Sequence, residues 1–198
     1  MLNSAVFLDR DGVINRDRRD YVKSWEEFEF LPGVPEAFRL LAPGPHRIVV
    51  VSNQSAIGRG VVSRKAVDEI HARMIEAVRA GGGRIDAVYY CPHLPEADCP
   101  CRKPRPGLLL RAARELGIDL PGSWLIGDDV RDLESAVAAG VRPVLVRTGH
   151  GTHLPETVLV RAPYRFDVFE DLLEAAAHLG RGRMSSRSQG QRKSGGGR

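Results

Sequence analysis

The sequence predicts an α/β fold: a doubly wound parallel sheet with helices on both faces. Two observations predict it. Apolar runs of strand length alternate with amphipathic stretches of helical period along the chain, the pattern of βαβ units. The acidic and polar motifs fall directly after those apolar runs, where open parallel sheets bind ligands, outside the carboxyl ends of their strands.

The elements follow in order. Ala5–Leu8 is the first strand. Residues 35–41 read as a short helix and 48–51 as the second strand. Ser63 suits a helix N-cap, because its hydroxyl accepts from a backbone N–H that has no partner in the first turn. The helix it opens sets Val67, Ile70, Met74 and Val78 on one stripe, and the glycines at 81–83 end it. Residues 85–90 form the third strand. A helix over 108–116 is closed by Gly117. A strand at 124–126, a helix over Val130–Ala139 closed by Gly140, and a strand at 143–146 come next. Residues 164–168 form a last strand before a helix over 169–179. The stretch 148–163 carries no assignment.

With 198 residues, the chain is long enough for one well-buried domain. That domain is expected over residues 1–180. Residues 181–198 are Gly/Ser/Arg-rich with almost nothing to bury, and read as a disordered basic tail. Six cations (Arg181, Arg183, Arg187, Arg192, Lys193 and Arg198) sit in that tail with no acid, so the chain's net charge of +4 becomes −2 over residues 1–180. The folded part therefore has no nucleic-acid footprint, and only the tail offers a polyanion contact. No apolar run approaches the roughly 20 residues that span a bilayer. The first residues lack a basic segment followed by an apolar one, so no signal peptide is read. A cytoplasmic monomer acting on a small phosphorylated metabolite is the expectation.

Asp9 and Asp11 follow the first strand directly and precede Gly12, which permits a sharp turn. At i and i+2 in extended backbone they point the same way and repel unless a cation lies between. Alone, such a pair is equally a solvated turn. Asp128, Asp129 and Asp132 follow another strand at a helix start, where acids also serve as caps. Acids converging from separate strand ends make an oxygen-rich site for Mg²⁺. Ser52, Asn53 and Gln54 offer hydroxyl and amide groups to phosphate oxygens. Arg59, in Gly-Arg-Gly, brings a guanidinium to the same loop. Lys103 follows the third strand, where an ammonium offsets charge on a transferring phosphoryl group. Cys91, His93, Cys99 and Cys101 give C-x-H-x5-C-x-C, a donor set that matches a closed tetrahedral Zn²⁺ site. Free thiols beside a loop histidine are the alternative. His46, His71, His150, His153 and His178 lack motif context and read as structural or surface residues.

The four segments, Asp-x-Asp-Gly, then Ser, then Lys, then Gly-Asp-x-x-x-Asp, in that order after strands, resemble the haloacid dehalogenase (HAD) superfamily. The resemblance implies a Rossmann-like HAD-type domain and Mg²⁺-dependent phosphomonoester hydrolysis. It implies that Asp9 is the nucleophile and a Mg²⁺ ligand. Asp11 is the general acid/base, its main-chain carbonyl on the metal and its pKa partly raised. Ser52 binds the phosphoryl group, with Gln54 a further phosphate-binding candidate in the same loop. Lys103 holds Asp9 and phosphate, Asp128 completes the metal site, and Asp132 orients Lys103 or a bound water. Asp129 receives no role. The Cys-Pro-His … Cys-x-Cys-Arg-Lys-Pro loop is similar to the branch holding the heptose 1,7-bisphosphate 7-phosphatases and the histidinol-phosphatase domain. The stretches Asp11–Asn15, 21–33 and 52–60 lean toward the heptose enzymes, whereas the short zinc loop leans toward histidinol phosphate. Asn53, Arg59 and Arg102 are the candidates for a distal phosphate or sugar. The spacing between Asp11 and Ser52 leaves no room for a large cap domain. A non-enzymatic zinc-stapled nucleic-acid-binding module is the reading from another class; it leaves the ordered Asp, Ser and Lys residues unexplained.

Overall fold

A computed structural model of the chain describes residues 3–155 and 162–180; the predicted tail, 181–198, lies outside the described residues. Six strands form one parallel sheet. They are β1 (Ala5–Leu8), β2 (Arg47–Asn53), β3 (Ala87–Cys91), β4 (Trp124–Gly127), β5 (Arg142–Val146) and β6 (Asp167–Phe169), in the order β3-β2-β1-β4-β5-β6. The helices are α1 (Val34–Leu41), α2 (Ser55–Gly58), α3 (Arg64–Ala80), α4 (Gly107–Leu116), α5 (Val130–Ala139) and α6 (Leu172–Gly180). The doubly wound parallel sheet is the fold observed.

Strand alternation sorts the core into two layers. Val6, Leu8, Ile48, Val50 and Ile126 pack with Phe38 of α1, Ile70 and Met74 of α3 and Leu172 of α6. Phe7, Val49, Val51 and Leu125 face the other way, onto Leu108, Leu109 and Ala112 of α4 and Ala136 of α5. Each large apolar side chain so buried stabilises the fold by about 1.5–3 kcal/mol. Ser63 caps α3 through Ala66 N–H, and Gly117 and Gly140 close α4 and α5 in left-handed conformations.

The last helix differs from its expected start. It begins at Leu172 because Asp171 Oδ1 accepts the Glu174 N–H at 2.8 Å, an N-cap bond that ends the preceding strand at Phe169. Between β1 and α1 the chain forms no inserted domain. It makes a loop that includes a single turn of 3₁₀-helix at Trp25–Glu27, held by Trp25 stacked on Phe28 (5.0 Å between centroids) and Phe30 edge-on to Phe28 (5.1 Å). The strand order reverses at β1, which pairs with β2 on one side and β4 on the other. The crevice at its carboxyl end is where such a sheet takes a ligand.

Candidate active site

The ends of β1 and β4 bring distant acids together. Asp9 N–H still pairs with the Ile126 carbonyl at 3.0 Å, so Asp9 leaves the sheet beside Asp128. Lys103 reaches in from the loop after β3. Its Nζ lies 2.8 Å from Asp9 Oδ1 and 2.6 Å from Asp132 Oδ1, and donates to the Val51 carbonyl at 3.0 Å. One hydrogen bond and two ion pairs thus hold the ammonium. Burial acts to lower the Lys103 pKa, but Asp132 and Asp9 outweigh it and hold the ammonium charged. Asp132 also takes the Asp129 N–H at 3.2 Å as the third residue of a capping box that starts α5. Asp129 is the N-cap of that helix and pairs with Arg131.

Asp128 is buried. Its Oδ2 accepts the His150 backbone N–H at 2.7 Å. Gly12 and Gly149 close over the carboxylate with φ of 83° and 51°, and a Cβ on either would overlap Oδ2. Asp9, Asp128 and Asp132 bring carboxylate oxygens within 4.8 Å of one another. Among the described residues, no Lys or Arg pairs with Asp128. Burial, with Asp9 and Asp132 nearby, pushes its carboxyl up to about 9. Burial also pushes Asp9 up to about 7 despite Lys103. One ammonium does not offset three clustered carboxylates. The shortfall of positive charge and the all-oxygen donor set fit a hard divalent cation such as Mg²⁺.

Asp11 faces another way. Its carboxylate receives Arg10 Nη2 at 2.7 and 2.8 Å, Arg10 Nε at 3.2 Å, Asn15 Nδ2 at 2.9 Å and Gln54 Nε2 at 2.7 Å. The partly raised pKa expected of it is corrected: burial acts upward, but Arg10, with bonds from Asn15 and Gln54, brings the carboxyl below its ordinary value. Gln54 Nε2 also donates to Ser52 Oγ at 2.8 Å, which ties the phosphate loop to Asp11. Asn53 spends much of its amide on Lys103: Oδ1 accepts the Lys103 N–H and Nδ2 donates to its carbonyl, both at 3.1 Å. It clamps the lysine's backbone with one N–H left for a ligand. Arg59 and Arg102 line a cavity of about 350 Å³ that opens above Asp9, Ser52 and Asp128. Arg18, Arg19 and Arg131 also line it, with Asp17 and Asp129; Arg131 pairs with Asp129 and Arg18 with Asp20.

Behind Lys103, Cys91, His93, Cys99 and Cys101 converge. The sulfurs lie 3.3–3.5 Å apart, and His93 Nδ1 is 3.5 Å from Cys91 Sγ and 3.3 Å from Cys101 Sγ. These separations are too long for disulfides, whose sulfurs bond at about 2.05 Å. They are close to the edges of a tetrahedron built on metal–sulfur bonds of about 2.3 Å. Burial pushes the Cys91 thiol up to about 12. The three thiols cannot all ionise here without a cation.

Four contributors lacked a sequence signal. Arg10 is buried between Asp11 and His71, with Nη1 3.2 Å from His71 Nε2. His71 is thus a buried partner of the acid loop. Gly149 and His150 serve Asp128 through backbone alone.

A β3-β2-β1-β4-β5-β6 sheet with acids and a lysine gathered at the reversal is suited to phosphoryl transfer. Comparison with known proteins agrees. A family model described as HAD-hydrolase-like matches residues 100–175. The D-glycero-β-D-manno-heptose-1,7-bisphosphate 7-phosphatase of Pseudomonas aeruginosa is 40% identical over 184 residues, covering 90% of this chain and 99% of that protein. Among solved structures, the D,D-heptose 1,7-bisphosphate phosphatase from B. bronchiseptica, complexed with magnesium and phosphate, superposes with a TM-score of 0.84 at 38% identity. It covers 91% of this chain and 99% of that one. The corresponding phosphatase from Burkholderia thailandensis gives 0.67 at 34% identity, covering 89% and 98%. The chain belongs to the HAD superfamily of phosphatases, in the same family as these heptose-bisphosphate enzymes. A non-enzymatic binding module is set aside: the match to phosphatases runs over nearly the whole chain.

Proposed function

We propose that this enzyme hydrolyses the 7-phosphate of D-glycero-β-D-manno-heptose 1,7-bisphosphate through an aspartyl-phosphate on Asp9. The carrying observation is Lys103 bonded to Asp9 in a cavity that also holds the uncompensated carboxyl of Asp128. Lys103 and the Arg10 N–H (2.7 Å) both hold Asp9 Oδ1, fixing the carboxylate's rotation. The carboxylate attacks phosphorus. A new P–O bond forms, the ester P–O bond breaks, and its electron pair goes to the sugar oxygen, which takes a proton from Asp11. The negative charge of the incoming phosphate raises Asp11 toward the protonated form this step needs. In the second half, water gives its proton to Asp11 and attacks phosphorus, returning the electron pair to Asp9.

Asp9, Asp128 and the main-chain carbonyl of Asp11 would hold Mg²⁺, which supplies charge neutralisation for the phosphoryl oxygens when bound. Ser52 and Gln54 orient those oxygens, and Asp132 and Asn53 fix Lys103 from side chain and backbone. Arg59 and Arg102 meet the second phosphate. Arg19, Arg59 and Arg102, which make no ion pair among the described residues, suit a second phosphate better than an amine such as that of histidinol phosphate. Cys91, His93, Cys99 and Cys101 would hold a structural Zn²⁺ that staples the loop leading into Arg102 and Lys103.

The test is kcat/KM for heptose bisphosphate against histidinol phosphate, in wild type and Asp9→Asn with Mg²⁺. The bisphosphate is expected to be the better substrate and Asp9→Asn inactive. A preference for histidinol phosphate refutes the substrate; equal activity in both proteins refutes the mechanism.

A further inference from the structure

We infer that His71, on α3, is a positioning residue for the general acid/base Asp11, acting through the buried Arg10. This rests on the proposed role of Asp11.

Arg10 is 1% exposed and the largest fully buried side chain. A guanidinium has five N–H donors in a fixed plane and needs a partner for each edge when buried. Arg10 meets Asp11 with Nη2 and Nε, and Nη1 points to His71 Nε2 at 3.2 Å. Arg10 is donor only, so Nε2 is the acceptor and the imidazole is neutral with its hydrogen on Nδ1. The environment agrees: burial and the Arg10 charge push the His71 pKa down to about 3. His71 is held in turn against the Tyr90 ring, 5.2 Å between centroids.

The geometry has a direction. The turn after Asp9 folds back on itself, with Val13, Ile14 and Asn15 N–H groups all directed at the Arg10 carbonyl. The Arg10 side chain is thereby aimed at α3, and the acceptor there sets the plane of the guanidinium. That plane, together with the bonds from Asn15 and Gln54, sets the rotation of the Asp11 carboxylate. Removing the acceptor leaves a buried Nη1 unsatisfied, and the cheapest relief is rotation of the guanidinium. Asp11 rotates with it.

The signature is a dependence on leaving group. An alkyl alkoxide needs the proton of Asp11 to depart; 4-nitrophenolate does not. Because kcat/KM covers only steps through departure of the leaving group, water attack does not enter. His71→Leu is expected to lower kcat/KM for heptose bisphosphate about 10- to 100-fold and for 4-nitrophenyl phosphate less than about 3-fold. His71→Gln keeps an acceptor for Arg10 and restores the alkyl ester to within about 3-fold of wild type. A merely structural role lowers both esters alike. Equal losses, no loss, or failure of His71→Gln to restore overturns the inference. If His71→Leu does not fold, Arg10→Lys, which keeps the charge but lacks the fork, must show the same selective loss, and equal losses there overturn it. A wild type with no Asp9-dependent turnover overturns both this inference and the reading beneath it.

Discussion

Asp128→Asn is expected to make the metal-free protein more stable and the enzyme inactive. Without metal, the folded state holds the Asp128 carboxyl protonated up to about pH 9, whereas the unfolded chain ionises it near 3.8. Between those values the native state binds a proton that the unfolded state has released. The sign follows: stability is undiminished below pH 3.8 and falls as pH rises toward 9. At pH 7 the gap is about three units, an upper bound of about 4 kcal/mol at roughly 1.4 kcal/mol per unit. Asparagine has the same shape, accepts the His150 N–H through its carbonyl oxygen, and carries no charge to bury. The assay is urea unfolding at pH 5 and pH 8 in EDTA and in Mg²⁺. In EDTA the variant should be the more stable at pH 8, with a smaller difference at pH 5. In Mg²⁺ at about 100 times its Kd the wild type gains about 2.7 kcal/mol and the variant gains little. A variant no more stable than wild type in EDTA at pH 8, or equal stabilisation of both by Mg²⁺, refutes the reasoning.

Two glycines with left-handed backbones separate site from scaffold. Gly149→Ala drives a methyl into Asp128 and should lower kcat at least about 10-fold, whereas Gly140→Ala meets open space and should cost about 1 kcal/mol of stability with unchanged kcat. Steady-state kinetics and thermal melts distinguish them. Cys99→Ser should lose the bound zinc, read as metal content of the purified protein, and reduce kcat through disorder at Lys103; unchanged zinc and kcat would exclude the staple. His71 contributes stability in full above its ordinary pKa of 6.5, lost as pH falls toward about 3, because the unfolded chain takes up a proton the folded one refuses. The slope is about 1.4 kcal/mol per pH unit. The difference in unfolding free energy between wild type and His71→Gln should follow that slope, and a pH-independent difference would contradict it.

The sequence makes Asp9, Asp11, Ser52, Lys103 and Asp128 legible, because each follows or closes a strand whose apolar run is easy to read, and Asp132 legible as an acid in the first turn of the next helix. Hydrophobic period locates β1 and α5 at their observed bounds. It carries the last helix back to residue 169, where the Asp171 cap overrides it. Gly149 and His150 are illegible for another reason: their service to Asp128 is a missing Cβ and a backbone N–H, which no side-chain pattern encodes. His71 looks like any residue on α3, since its partner lies 61 positions away. Arg10 and Asp11 are adjacent in sequence, and extended backbone would send them to opposite sides. Only the turn that starts at Arg10 brings the guanidinium onto its neighbour and reverses the expected direction of the Asp11 pKa.

The strand order has a further consequence. Asp9 follows β1, in the middle of the sheet, and its companions arrive from both flanks, after crossovers that separate residue 9 from residue 128. No fragment that lacks either end of this span therefore owns a complete centre: a nascent chain that stops short of β4 lacks Asp128, and one that lacks the β1 segment lacks Asp9. Hydrolytic competence is a property of the completed tertiary structure, and refolding followed by turnover counts only molecules in which both halves have docked.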